Sequence, residues 1–141
     1  MSLADFDRYP KDSETPFAKY LSGRLTHAPA SVDGILCWNF FDYLDNAAAT
    51  ALAAALTRIV RPDGAVLAFF ATVAVPNSRF WKHVIMDEDS LRQRPYASGK
   101  RQNALPNRDV LKMFDGLKVA ESFLLKLNVR EFLFRKPPPT Q

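Results

Sequence analysis

The chain has 141 residues, the size of a single domain and enough to bury a real core. Its 48% hydrophobic and 24% charged content excludes an intrinsically disordered chain, and a net charge of +4 is a mild excess that solvated surface charge explains without a polyanionic partner. The single cysteine, Cys37, excludes an internal disulfide and a cysteine-based metal site, and reads as a buried, inert thiol.

No apolar run approaches the ~18 residues that span a bilayer, and the opening stretch MSLADFDRYPKDSE lacks the apolar core of a secretion signal. A cytoplasmic address without membrane contact is the expectation. Thr15-Pro16 then has the form of a helix cap and first-turn proline, opening a short helix to Arg24 or Leu25 with Phe17, Tyr20, Leu21 and Leu25 on one face. His27 follows in a polar loop with no second candidate ligand beside it, which favours a structural role.

Asp33-Gly34 leads into Ile35, Leu36, Cys37 and Trp38, an apolar run without alternation, as expected of a strand covered on both faces. Asp45 is placed to cap a helix from about Asn46 to Val60. In it Leu52, Ala55, Leu56 and Ile59 form one buried stripe, and seven alanines favour the helical state. Arg61-Pro62-Asp63-Gly64 stops that helix, with Gly64 free to take the left-handed turn conformation, and Ala65 to Ala71 is a second apolar strand. A crossover helix of this length joins parallel neighbours, so the unit is βαβ.

Arg79 to Met86 fits a strand or a short helix, and periodicity does not choose between them. Asp87-Glu88-Asp89 reads as a solvated cap or turn. Arg92 to Arg101, with Arg92, Arg94, Lys100 and Arg101 and with Pro95 and Gly99, reads as a basic loop. Pro106-Asn107 opens a helix to about Phe114 with Val110, Leu111 and Phe114 inward, and Asp115-Gly116 ends it. Leu117, Val119, Phe123 and Leu125 alternate on one face of a strand. Leu127-Asn128 turns the chain, and Val129 to Arg135 returns antiparallel, leaving residues 137–141 as a proline-rich tail behind a domain of residues 1–136.

The run DGILCWNFFDYLD, the amphipathic helix after it and RIVRPDGAVLAFF together resemble the fourth strand, following helix and fifth strand of class I S-adenosylmethionine-dependent methyltransferases. Val32-Asp33 stands where that family often opens its fourth strand, and Val60-Arg61-Pro62-Asp63-Gly64 resembles its Leu-Arg-Pro-Gly-Gly turn, with Asp63 where glycine is common. The resemblance implies an α/β fold: an incomplete Rossmann-like sheet of parallel strands with a crossover helix and a C-terminal antiparallel hairpin, whose last strand inserts between its neighbours. It also implies S-adenosylmethionine as cofactor, with Asp5, Cys37, Trp38 and Asn39 on the cofactor side. Asn39, Phe40, Tyr43, Arg92 and Arg94 fall on the side of the methyl acceptor, which the sequence does not identify. Asn39 is an uncharged amide where subgroups of the family carry an acid, so it orients groups without titrating. Trp38, Phe40 and Tyr43 equally suit closing the end of the core, and the basic loop equally suits plain exposure.

The family's glycine-rich cofactor turn has no counterpart. The five glycines, Gly23, Gly34, Gly64, Gly99 and Gly116, are scattered. The expectation is therefore the C-terminal part of a methyltransferase, inactive alone, or a non-catalytic subunit that pairs with a copy of itself or another chain through the bare edge of strand 35–38. Nucleic-acid binding through Arg92 to Arg101 is disfavoured, because a single aromatic, Tyr96, falls short of the interleaved set that stacks bases.

Overall fold

The structure, a computed structural model, describes residues 17–72, 79–98, 104–126 and 128–139. The proposed cap at Thr15-Pro16 lies outside them. The described elements are helix α1 (Phe17–Arg24), strand β1 (Val32–Trp38), a one-turn 3-10 helix (Phe40–Tyr43), helix α2 (Asn46–Ile59) and strand β2 (Val60–Ala71). Strands β3 (Arg79–Asp87) and β4 (Ser90–Ser98), helix α3 (Asn107–Met113) and strands β5 (Lys118–Leu125) and β6 (Val129–Arg135) follow.

Four strands form one sheet in the order β1-β2-β6-β5, and β3 and β4 form a separate two-stranded sheet. β1 and β2 pair in parallel, as the crossover helix requires, whereas β6 runs antiparallel to both β2 and β5. The last strand thus sits between its neighbours, as the resemblance implies.

α2 forms for the reasons its sequence states. The Asp45 carboxylate accepts the Ala48 amide at 2.7 Å, and Leu52, Leu56 and Ile59 are buried together with Ala48, Ala49 and Ala53. Ala55 lies at the margin of that stripe, packed against the core but only half-buried. The alanines let α2 lie close on the sheet. α1 packs on α2 through Leu21 and Leu25. The other half of the core is aromatic. Phe41, Phe70, Phe114, Phe132 and Phe134 form a continuous set of ring contacts with centroids 4.5–5.8 Å apart, joining the 3-10 helix, β2, α3 and β6.

Several expectations change. Strand β2 begins at Val60, directly after α2, and Arg61 to Gly64 form an irregularity within it. Val32 pairs with Val60 and Gly34 with Ala65, so Asp33 alone faces the whole segment. The left-handed residue there is Asp63 (φ 63°), not Gly64. Gly64 is needed for space instead, since a Cβ would fall 2.6 Å from Val60 Cγ2, 2.7 Å from the Arg61 carbonyl and 2.9 Å from the Asp33 carbonyl.

Among the described residues β1 is covered on one face. Ile35 and Cys37 pack against the helices, while Leu36 on the opposite face is 52% exposed. That opposite face continues through Leu67, Phe69 and Leu133, all half-exposed, to Phe123. Val110 of α3 and Phe114, which caps its end, point inward but Leu111 is 46% exposed, because the stacking of Phe114 on Phe134 sets the rotation of so short a helix. On β5, a register shift between Val119 and Glu121 moves Val119 to the other face from Phe123 and Leu125, since one extra residue reverses every later side chain.

Arg79–Asp87 is a strand, and Ser90–Ser98 is its antiparallel partner and not a loop. Pro95 is tolerated because in a two-stranded ribbon each strand has a free edge, and it sits beside the register shift at Phe80/Trp81. Glu88-Asp89 makes the turn, in which the Asp87 carboxylate accepts the Asp89 amide at 2.9 Å. That bond, and then the Ser90 hydroxyl, hold the Asp87 carboxyl below its usual range.

Candidate functional site

In open parallel sheets, ligands meet the loops beyond the carboxyl ends of the strands. Here the tips of β1 and β2 lie side by side, Trp38 pairing with Ala68 after a register shift. That shift has a backbone cause: Trp38 takes φ 48°, a left-handed conformation that is an outlier for a bulky side chain. Such strain persists only where surrounding structure holds it, and it concentrates at functional sites. Its ring lies 5.7 Å from that of Phe69, on the face of the sheet away from the helices.

Asn39 comes next, with φ −98° and ψ 22°, in the bridge region where many active-site residues sit. Its carbonyl accepts the Asp42 amide at 3.2 Å and begins the 3-10 turn, but its side chain makes no capping bond. The carboxamide therefore presents a donor and an acceptor at the tip of β1 that the fold does not use as a cap.

Phe40 and Phe41 then anchor the turn, Phe40 partly buried and Phe41 fully buried between Phe70 and Phe114. Asp42, also buried, accepts the Ala71 amide at 2.9 Å. One residue further, the Thr72 amide and hydroxyl both reach the Asn128 carbonyl, at 2.8 and 3.0 Å. The tip of β1, the end of β2 and the β5–β6 turn are thus joined into one rim.

Of the sequence candidates, Trp38, Asn39 and Phe40 stand together on this rim. The Cys37 side chain is half-buried and packs toward the helices, and desolvation pushes its thiol up to about 12. Arg92, exposed, and Arg94 lie on β4, opposite Val84 and Lys82 of the separate ribbon. Asp5 and the side chains of Tyr43 and Arg94 lie outside the description. Sequence reasoning missed Asp42 as the tie to β2, although a lone acid within the aromatic run FFDY is the signature of a buried, partnered carboxylate. It also missed Arg130, which the alternation of VREFLFR puts on the same face as Phe132 and Phe134.

Among the described residues no group of three or more His, Cys, Asp or Glu side chains is placed to hold a metal ion, and no helix is long and apolar enough to cross a membrane.

The strand order, the parallel β1-β2 pair and the inserted antiparallel β6 define an α/β fold of the methyltransferase type. The chain resembles an S-adenosylmethionine-dependent methyltransferase from Clostridium acetobutylicum at 10% identity, with a TM-score of 0.53, covering 77% of this chain and 59% of that one. It resembles a methyltransferase from Methanosarcina mazei at 6% identity and a TM-score of 0.51, covering 81% and 63% respectively. The third likeness is to the glycopeptide N-methyltransferase MtfA, solved with S-adenosylmethionine, at 11% identity and a TM-score of 0.51, covering 76% and 58%. The fold is that of the C-terminal part of S-adenosylmethionine-dependent methyltransferases, and the chain spans about three fifths of the length of these solved structures. No protein-family model matches it, and no curated protein matches it in sequence.

The residues present fit only one edge of a cofactor site. The rim offers Trp38 and Asn39, but the chain carries no glycine-rich turn in which a backbone could approach the cofactor closely.

Proposed function

We propose that the chain is the acceptor-side portion of an S-adenosylmethionine-dependent methyltransferase and works with a second portion that holds the cofactor. The observation carrying this is the rim at the ends of a parallel β1-β2 pair, with a strained Trp38 and an uncapped Asn39 carboxamide, on a sheet of methyltransferase order. Methyl transfer depends mainly on positioning the acceptor in line, so a rim without nucleophile or metal is adequate to the task. Asn39 would orient an acceptor heteroatom without changing charge, and Trp38 and Phe40 would wall it from water.

The second portion would pair with β1, whose one described neighbour is β2, and cover the half-exposed face of Leu36, Leu67, Phe69 and Leu133. The same edge suits the second reading, a non-catalytic subunit that pairs with a partner chain.

Calorimetric titration with S-adenosylhomocysteine tests the proposal. No binding is expected from the 141-residue chain alone, and binding is expected once a co-purifying chain with a glycine-rich turn is present. Binding by the chain alone would refute the division of labour. A stable partner without such a turn would favour the non-catalytic reading. Methylation that persists unchanged after Asn39→Ala and Trp38→Ala would remove those residues from the site.

A further inference from the structure

Arg130 is the second residue of β6, facing Phe70 of β2 and Leu124 of β5 across the two ladders. Alternation along the strand sets it on the same face as the buried Phe132 and Phe134, at the end of the sheet where β2 runs out into Ala71 and Thr72. The residue is half-buried, and its Nε–H is buried without a hydrogen-bond partner. Among the described residues no carboxylate pairs with it. Glu131, its neighbour, lies on the opposite face, and Oδ1 of Asp42 accepts the Ala71 amide.

A buried donor on a charged group left without an acceptor works against folding, and among the described residues no group offsets that loss. A planar guanidinium is also the side chain best matched to a two-oxygen anion, because its N–H groups form a fixed fork. Its position is the ligand end of the sheet. We propose that Arg130 anchors an oxyanion, carboxylate or phosphate, of the molecule bound at this rim. Resting on the proposed function, this makes the methyl acceptor an acid.

The test is a side-chain NMR titration of the full chain, following the Arg130 Nε–H resonance as inorganic phosphate, or separately acetate, replaces chloride at constant ionic strength. A saturable shift of that resonance is expected, and the arm with the lower midpoint tells phosphate from carboxylate. Arg130→Lys, which keeps the charge but loses the fork, is expected to weaken binding at least about tenfold, followed through neighbouring backbone amides. No shift beyond the chloride control, an unchanged midpoint in Arg130→Lys, or equal shifts across the other arginines would each overturn the proposal. The parent resonance decides the matter even where a variant fails to fold. No cofactor enters the experiment, so saturable anion binding by a chain that supports no methylation even with a cofactor-holding second portion would sink the proposed function and leave this site standing.

Discussion

The Asp42 carboxylate and the Ala71 amide, 29 residues apart in sequence, meet at 2.9 Å inside the protein and tie the turn after β1 to the last residue of β2. Asp42→Ala leaves that buried amide without its partner and is expected to cost about 1–3 kcal/mol. Asp42→Asn keeps an acceptor oxygen and should cost less. Urea midpoints measured on both variants check this, and equal losses would show that the hydrogen bond is not what holds the rim.

Asp63 and Gly64 are adjacent and should respond oppositely. Gly64→Ala drives a methyl against two backbone carbonyls that cannot give way, and a loss of about 1–3 kcal/mol is expected. Asp63→Gly relieves a left-handed residue while its backbone bonds to Lys136 and Arg135 remain, so stability should hold or rise by up to about 1 kcal/mol. Thermal melts of the pair decide it. A stabilising Gly64→Ala would contradict the packing described at Val60.

Lys136 clasps the helix end to the sheet. Its Nζ donates to the Thr57 and Val60 carbonyls at 2.9 Å each, and its backbone exchanges bonds with Asp63 and Gly64. Cations stabilise helix C-termini and satisfy their orphan carbonyls. Lys136→Met, which keeps the apolar stem, is expected to lose about 1.5–3 kcal/mol, and amide exchange should quicken in the last turn of α2. Unchanged exchange there would count against the clasp.

The Cys37 thiol is raised from 9.0 to about 12 by burial, so native chain at pH 8 holds far less thiolate than the unfolded chain. Modification by a disulfide reagent should be slower in buffer than in urea by roughly a thousandfold. Because the folded state keeps its proton, the thiol's contribution to stability is whole below about 9 and is lost as pH rises through about 12. Cys37→Ala should flatten that alkaline decline.

The edge of β1 that no described strand pairs and the exposed Leu36 predict association through the strand edge. Sizing should show species larger than the 15.9 kDa monomer, and Leu36→Lys should shift them toward monomer. A parent chain that stays monomeric on concentration would argue that the edge is already protected.

How much was legible follows from the range over which each signal acts. The cap at Asp45, the alanine-rich stripe of α2, the apolar runs on either side of it and the turn before β6 are set by neighbours within a few residues. A sequence carries such signals whole, and the parallel β1-β2 pair follows from them. Arg92 to Ser98 misled because Pro95 signals a loop locally, whereas β4 exists through its pairing with β3; Gly99, Lys100 and Arg101 lie outside the described residues. Leu111 is expected inward and Val119 on one face with Phe123 and Leu125, and the structure departs from both, because a helix's rotation and a strand's bulge are settled by what packs against them. The strain at Trp38, the tie from Asp42 to Ala71 and the unpartnered Nε of Arg130 belong to the tertiary structure alone. Each depends on groups from distant segments meeting in one place, and burial, the quantity that gives those meetings their energy, is a property of the assembled fold.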